Sequence, residues 1–264
     1  MTLTVATWNV NGIRAREAQV RQWLERDAPD VVCLQEIKAS AEQVPAALFE
    51  MLPYWNYWHG ERAYSGVSLH LRKETFPERP VFGHPDFDYE NRIVTADVPG
   101  LTVASVYVPN GGKDFPAKMR FLEALEREAR QRQGAGGALV LSGDINVART
   151  DLDVHPKERK ATAIGQLPEE RAALERILAC GLVDLARTLD PENAGLFTWW
   201  APWRNLRQRN IGWRIDYILA SGELARRASS CRVLADYGTS DHAPVVASFE
   251  ESVPRSENLD PPLP

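Results

Sequence analysis

No apolar run in the chain approaches the ~20 residues that a helix needs to cross a bilayer; the longest are strand-sized, so no membrane partner is expected. Met1-Thr2-Leu3-Thr4 enters a strand pattern at once, and no secretory leader is expected either. Cysteine is scarce. Cys33, Cys180 and Cys231 lie far apart inside apolar segments, which argues against a disulfide framework or a cysteine zinc site and suits buried thiols in a reducing compartment, the cytoplasm. An excess of basic charge is also missing: the formal net charge is -5, so the chain does not hold polyanions by bulk electrostatics, and any nucleic-acid contact must come from local basic groups. Internal repeats and composition breaks are absent as well. With 264 residues, 44% hydrophobic and 25% charged, the chain reads as one globular domain over residues 1–250. The tail from Glu251, with Pro254, Pro261, Pro262 and Pro264, has little to bury and is expected to be disordered.

What the chain does have is polar residues gathered where apolar runs end. Leu3 to Trp8 reads as a buried strand closed by Asn9-Val10-Asn11-Gly12, and Asp30 to Leu34 as a second closed by Gln35-Glu36-Ile37-Lys38. Between them, Ala15 to Asp27 is expected to be a helix with Val20, Trp23 and Leu24 inward. A weaker helix is expected at about Ala41 to Leu52, then a strand over Tyr64 to Leu71, and loop over 73–91. Arg92 to Val98 and Leu101 to Val108 flank Pro99-Gly100 as a hairpin that ends in Tyr107-Val108-Pro109-Asn110. A helix over Phe115 to Arg132 and the Gly-rich connector 134–137 lead to the run Ala138 to Leu141, which ends in Ser142-Gly143-Asp144-Ile145-Asn146. A charged loop over 151–166 precedes a helix from Pro168 to Cys180. Ile215-Asp216-Tyr217 puts an acid inside a strand, where it needs a partner. Asp241-His242 stands between the closing strands, Cys231 to Leu234 and Val245 to Phe249. Strands outnumber helices and often follow one another directly, so the sheets are expected to be antiparallel or mixed, with helices outside.

Any one of these strand ends reads as easily as turn or cap chemistry. Together they supply hard oxygen donors and one imidazole, without a Cys/His cluster. That donor set suits Mg²⁺ or Mn²⁺ rather than zinc, with Glu36 as the first ligand. Asp241 cannot readily pair with the adjacent His242, so the tautomer of His242 needs an acid from elsewhere, and Asp216 is the candidate. The parts fit phosphodiester hydrolysis, in which cationic groups stabilise phosphoryl charge while a base prepares water.

The motifs Trp8-Asn9-Val10-Asn11-Gly12-Ile13-Arg14-Ala15, Leu34-Gln35-Glu36-Ile37-Lys38, Tyr64-Ser65-Gly66-Val67, Tyr107-Val108-Pro109-Asn110, Gly143-Asp144-Ile145-Asn146-Val147-Ala148, Trp213-Arg214-Ile215-Asp216-Tyr217 and Ser240-Asp241-His242-Ala243-Pro244 run in order through nearly the whole chain. In them the sequence resembles the exonuclease III-type abasic-site endonucleases of the endonuclease/exonuclease/phosphatase superfamily. The resemblance implies a four-layer α/β sandwich of the DNase I-like kind, two stacked sheets flanked by helices with the site on their shared rim. It implies a Mg²⁺-dependent DNA repair nuclease, for which Mn²⁺ can substitute. Such an enzyme cuts duplex DNA on the 5′ side of an abasic site and has 3′-phosphodiesterase or 3′-5′ exonuclease activity on blocked 3′ ends, as a monomer. Carried over by motif, Glu36 binds the metal with help from Asp241 and Asn11. Asp144 activates water, Asn146 orients it, His242 held by Asp216 bonds the phosphate, Asn9 supports the metal side, and Tyr107 lies near the leaving oxygen with Asn110 near the phosphate. Whether Asp144 or the Asp216–His242 pair is the base stays open, with Asp144 preferred. The pocket for the flipped-out sugar comes from Thr198-Trp199-Trp200, Trp213 and Ile215, although large aromatics are as readily core.

Two departures from the family pattern bear on DNA contact. The loop Ala161-Thr162-Ala163-Ile164-Gly165-Gln166-Leu167-Pro168 replaces an Asn-rich basic run. Lys113 and Trp203 stand near positions that push side chains into the duplex, and Trp203 is large for such a wedge. Arg14, Lys38, Lys157, Lys160, Arg204 and Arg207 are expected as phosphate contacts. Two alternatives remain: a related phosphoesterase or DNase I-like nuclease, and a non-catalytic module that binds damaged DNA.

Overall fold

The computed structural model describes residues 2–49 and 53–250. The strands are β1 (Leu3–Asn9), β2 (Val31–Gln35), β3 (Tyr54–Glu61), β4 (Tyr64–Arg72), β5 (Val81–Gly83), β6 (Ile93–Val98), β7 (Leu101–Tyr107), β8 (Ala138–Asp144), β9 (Leu182–Asp184), β10 (Asp216–Ser221), β11 (Ala228–Val233) and β12 (Val245–Phe249). The helices are α1 (Ile13–Asp27), α2 (Ala46–Phe49), α3 (Phe115–Gly134), α4 (Pro168–Leu178), α5 (Leu185–Leu189) and α6 (Gly222–Ala225). They form two six-stranded sheets, ordered β11-β12-β1-β2-β4-β3 and β5-β6-β7-β8-β10-β9. Each sheet holds one parallel pair, β1 with β2 and β7 with β8, joined through α1 and α3; every other pairing is antiparallel.

Strand alternation builds the layers. Val5, Cys33 and Leu69 from the first sheet meet Val94, Val103, Val140 and Ile218 from the second, and this shared core holds the two sheets face to face. The alternate residues point outward. Ala6, Trp8, Val32 and Leu34 pack under Val20, Trp23 and Leu24 of α1. Leu139, Leu141, Tyr217 and Leu219 pack under Phe121, Leu122 and Leu125 of α3 and Leu174 and Ile177 of α4. The central strands are therefore apolar on both faces, and each fully buried large aliphatic contributes roughly 1.5–3 kcal/mol. The result is the four-layer sandwich that the family resemblance implies.

The helices begin where the sequence permits. The side chain of Asp114 caps α3 by accepting from Ala117 N at 2.8 Å, with Pro116 in its first turn. Ala28, in the left-handed region, ends α1 just before Pro29.

Two expectations need correction. The helix over 41–52 is a 3₁₀ turn at Ala41–Gln43 followed by the short α2, because Pro45 interrupts the backbone ladder between them; residues 50–52 lie outside the described part, as does the tail from 251. The loop over 73–91 contains edge strand β5, which pairs with β6. The stretch after Gly181 adds edge strand β9 and helix α5, which are too short to show a periodic pattern.

Candidate active site

The parallel pairs aim their C-terminal ends at the same rim. In the first sheet Asn9 lies opposite Gln35, one residue before Glu36. In the second, Tyr107 and Asp216 both lie opposite Asp144. Gly143 makes the second arrangement possible: a Cβ there would stand 1.9 Å from Val106 O, so only glycine lets β8 run this close to β7 before presenting Asp144.

Asn9 is the bridge between the sheets. Its Nδ2 donates to Glu36 Oε1 and to Asp144 Oδ2, each at 2.9 Å, while its Oδ1 accepts from Asn11 N at 3.0 Å. Asn11 Nδ2 in turn donates to Asp241 Oδ1 at 2.8 Å. The other oxygen of Asp241 accepts from Trp199 Nε1 at 3.0 Å. Asn146 N donates to Asp144 Oδ1 at 2.9 Å, and its Nδ2 donates to Val108 O at 2.9 Å. Asn110 Nδ2 reaches Asn146 Oδ1 at 3.3 Å. His242 Nδ1 lies 2.9 Å from Asp216 Oδ2, and its Nε2 faces Asp144 Oδ2 at 3.9 Å. Asn11, Glu36, Lys38 and Asn146 all have positive φ. Asn tolerates that region, but for Glu36 and Lys38 it stores strain of order 1 kcal/mol each.

Burial and neighbouring charge set the ionisation of these groups. Burial, with Asp216 and Glu36 close by, pushes the Asp144 carboxyl upward against the opposing pull of His242. Burial opposes charge on His242, but the carboxylates of Asp216, Asp144 and Asp241 outweigh it and raise the imidazole, keeping it cationic. Burial would raise Glu36, yet hydrogen bonds from Asn9 and Lys38 hold it below the usual carboxylate range. The same competition, won by His242, Asn11 and Trp199, lowers Asp241. Burial and the nearby Glu36 and Asp144 charges keep the Tyr107 phenol a donor.

These residues floor a cavity of about 350 Å³ whose other walls are Ile164, Gly165, Trp199, Trp213 and Ile215. Trp199 and Trp213 pack edge to face at 5.5 Å, both half-buried. Trp200 is corrected from pocket to core: it is 1% exposed and packs with Phe197 and Leu206.

A divalent cation fits the floor. Donor atoms of Glu36, Asp144 and His242 lie within 4.8 Å of one another. The ammonium of Lys38 already stands 2.7 Å from Glu36 Oε2, where a cation would compete with it. With His242 cationic, the carboxylates of Glu36 and Asp144 are left as the donors of that group, and Asp241 lines the same cavity.

The basic residues separate into two groups. Arg14, Lys113, Lys157, Lys160 and Arg204 are exposed, with Lys113 Nζ 5.7 Å from the Tyr64 ring. Arg207 is corrected: its guanidinium donates to Ala235 O, Tyr237 O, Gly238 O and Ser240 O and lies over Trp200, so it holds the 235–240 loop instead of facing solvent. Lys38 likewise turns inward, donating to Asn11 Oδ1 at 2.6 Å as well as pairing with Glu36. Trp203 is 59% exposed and lines a separate groove that reaches Asp241.

Several residues support the site in ways that the sequence does not indicate. The Arg92 guanidinium lies 4.7 Å from the Tyr107 ring centre and 5.5 Å from that of Tyr64. Thr198 Oγ1 accepts from Ile215 N and Asp216 N, anchoring the residue that holds His242. Ser240 Oγ donates to Asn9 O at 2.7 Å. Lys118 lies beneath Asn146 and Asn110. Thr198 and Ser240 fall within motifs of the sequence, and Lys118 has a signal of its own, because its spacing from Leu122, Leu125 and Ala129 puts it on the apolar face of α3.

An acid, amide and imidazole site on the common rim of two stacked mixed sheets defines a hydrolytic α/β class. The chain belongs to the Endonuclease/Exonuclease/phosphatase family, whose model matches residues 6–242. It is 34% identical over 252 residues to an exodeoxyribonuclease of Bacillus subtilis, covering 92% of this chain and 98% of that one. A 3′ phosphatase from Neisseria, solved with a product DNA hairpin, superposes with a TM-score of 0.84 at 33% identity, covering 94% of this chain and all of the other. An AP endonuclease from Archaeoglobus fulgidus gives 0.82 at 32% identity, again over 94% of this chain and 100% of that one.

Proposed function

We propose that this protein is a DNA repair nuclease that hydrolyses the phosphodiester on the 5′ side of an abasic site in duplex DNA. It leaves a 3′-hydroxyl and also clears blocked 3′ ends by 3′-phosphodiesterase or 3′-5′ exonuclease action. The observation that carries this reading is the cavity itself, where Asp144, Asn146 and His242 share one floor beneath a wall of Trp199, Trp213 and Ile215. A phosphoesterase for small soluble esters has no use for that aromatic wall. A sugar without its base can turn out of the helix and rest against it at lower unstacking cost than an intact nucleotide.

Residues 1–250 act as one catalytic unit, as a monomer in the cytoplasm. Glu36 holds Mg²⁺, for which Mn²⁺ can substitute, with Asp241 and Asn11 on its flank. When bound, the ion neutralises charge on the scissile phosphate. Asp144, raised towards neutrality, takes the proton from the attacking water, and Asn146 orients that water through its carboxamide. His242 stays cationic beside Asp216 and donates from Nε2 to a phosphate oxygen, which makes it a stabiliser of charge and leaves the base role to Asp144. Tyr107 donates towards the leaving oxygen, Asn110 binds the phosphate, and Asn9 keeps Glu36 and Asp144 in mutual register. Arg14, Lys113, Lys157, Lys160 and Arg204 contact backbone phosphates on either side, and Trp203 leans against the opened helix.

Cleavage of a duplex with one abasic site tests the reading. Chelation of divalent ions should abolish cleavage, and Asp144→Asn should reduce it by ~10²- to 10⁴-fold. Full activity in both conditions would overturn it.

A further inference from the structure

Lys118 and Glu170 are both 0% exposed, and neither touches the cavity. Lys118 comes from α3 and Glu170 from the first turn of α4, and their side chains form an ion pair in the packed space behind the site. A lone buried ammonium is costly, and even a paired one rarely stabilises more than an apolar pair of the same size. Stability alone therefore gives a weak reason for this pair.

The contacts give a stronger one. An ammonium has three donors. Two of those of Lys118 go to Asn146 O at 2.8 Å and Asn110 O at 3.2 Å, while its charge pairs with Glu170. With both carbonyls drawn inward, the two carboxamides emerge on the cavity side, 3.3 Å apart. Asn146 takes the left-handed backbone conformation that turns its carbonyl towards Lys118. The Lys118 stem also fills the space under the Asn110 turn, where a Cβ on Gly111 would meet its Cδ at 2.8 Å. On the far side, Glu170 Oε2 accepts from Gly165 N at 2.6 Å and Leu167 N at 3.0 Å. Gly165 O accepts from Ala148 N at 2.8 Å, and a Cβ on Gly165 would stand 3.0 Å from the Trp213 ring. One buried pair thus ties together the three loops that carry Asn110, Asn146 and the Ile164–Gly165 wall.

We propose that Lys118 and Glu170 are positioning residues for hydrolysis, fixing the carboxamides of Asn146 and Asn110 and the wall against Trp213 by holding their backbone from behind. Burial lowers the ammonium pKa while Glu170 and Asp144 oppose that shift. The inference rests on the nuclease reading above, because it assigns the pair to the chemical step of that reaction.

Steady-state kinetics with the full chain on an abasic duplex and on a 3′-phosphate duplex tests it, with Tm measured alongside. Lys118→Met should lower kcat on the order of 10²-fold, the scale of a slight misplacement of reacting groups, with KM changed much less. Lys118→Met/Glu170→Leu should recover Tm without recovering kcat, since an apolar pair replaces the ion pair but bonds neither carbonyl. Placed on Asn146→Ala, Lys118→Met should cost kcat clearly less than it costs the wild type, because one of the side chains it positions is already removed while Asn110 and the Gly165 wall remain. Glu170→Gln, close to isosteric, should show the same dependence on Asn146 and serves if Lys118→Met does not fold. Wild-type kcat in folded Glu170→Gln and in the double variant, or losses that multiply with Asn146→Ala, would overturn the proposal. Failure of the nuclease reading is separate: the wild-type protein would then turn over neither duplex.

Discussion

His242 donates from Nδ1 to Asp216 Oδ2 at 2.9 Å, and this bond decides which way its other nitrogen faces. Nε2 is left on the cavity side beside Asp144, whose Oδ2 stands 3.9 Å away, free to donate to a phosphate oxygen bound there. Replacing Asp216 by Asn removes the charge that keeps His242 cationic and frees its tautomer. We expect kcat of Asp216→Asn to fall by ~10²-fold or more, with duplex affinity nearly unchanged. Wild-type kcat would show that His242 needs no partner.

Glu36 is held below the ordinary carboxylate range by Asn9 and Lys38, so it meets a cation already ionised. Glu36→Gln keeps the shape and removes the charge. The Mg²⁺ concentration for half-maximal rate should rise by ~10- to 100-fold, the effect typical of weakening a metal site. An unchanged Mg²⁺ dependence would move the ion elsewhere.

Trp203 is exposed and packs into no core cluster among the described residues, so truncating it should leave Tm alone. Trp203→Ala should weaken abasic-duplex binding by about 1–3 kcal/mol, the range for base stacking on an aromatic ring. Equal binding by both proteins in a fluorescence anisotropy titration would remove Trp203 from the interface.

Stability should fall in mild acid because of His70, in β4 and away from the site. Asn56 Oδ1 can only accept, so His70 Nδ1 carries the proton and Nε2 accepts from Ser68 Oγ, a neutral ring. Burial lowers its pKa from 6.5 to about 3. Below pH 6.5 the unfolded chain takes up a proton that the folded one refuses, so stability is present at neutral pH and lost as pH falls. Between pH 7 and pH 5 this group should remove about 2 kcal/mol, measured by urea unfolding. His70→Gln should lack that share of the acid sensitivity; identical pH dependence in both proteins would contradict it.

The rim was legible because strand ends announce themselves. A run such as Ala138–Leu141 broken by Gly-Asp-x-Asn signals a carboxylate delivered to an edge, and the need of His242 for an acid led to Asp216 before the two were seen together. Short edge strands were not legible: β5 has three residues, and Val81 is 70% exposed, so it carries no apolar alternation. Arg207 was misread because its acceptors are backbone carbonyls 28–33 residues away, which side-chain patterns do not encode. Lys38 was misread for a related reason, since a lysine two residues after an acid reads as surface until the left-handed turn at Glu36 folds it back.

Product analysis on matched duplexes carrying an abasic site, a 3′-phosphate or no damage, in Mg²⁺, tests the central claim most directly. The site described here should nick the abasic strand on the 5′ side of the lesion to leave a 3′-hydroxyl, release phosphate from the blocked end, and spare the interior of the undamaged duplex. Internal cutting of the undamaged duplex at the abasic rate, or binding of all three without turnover, would contradict it.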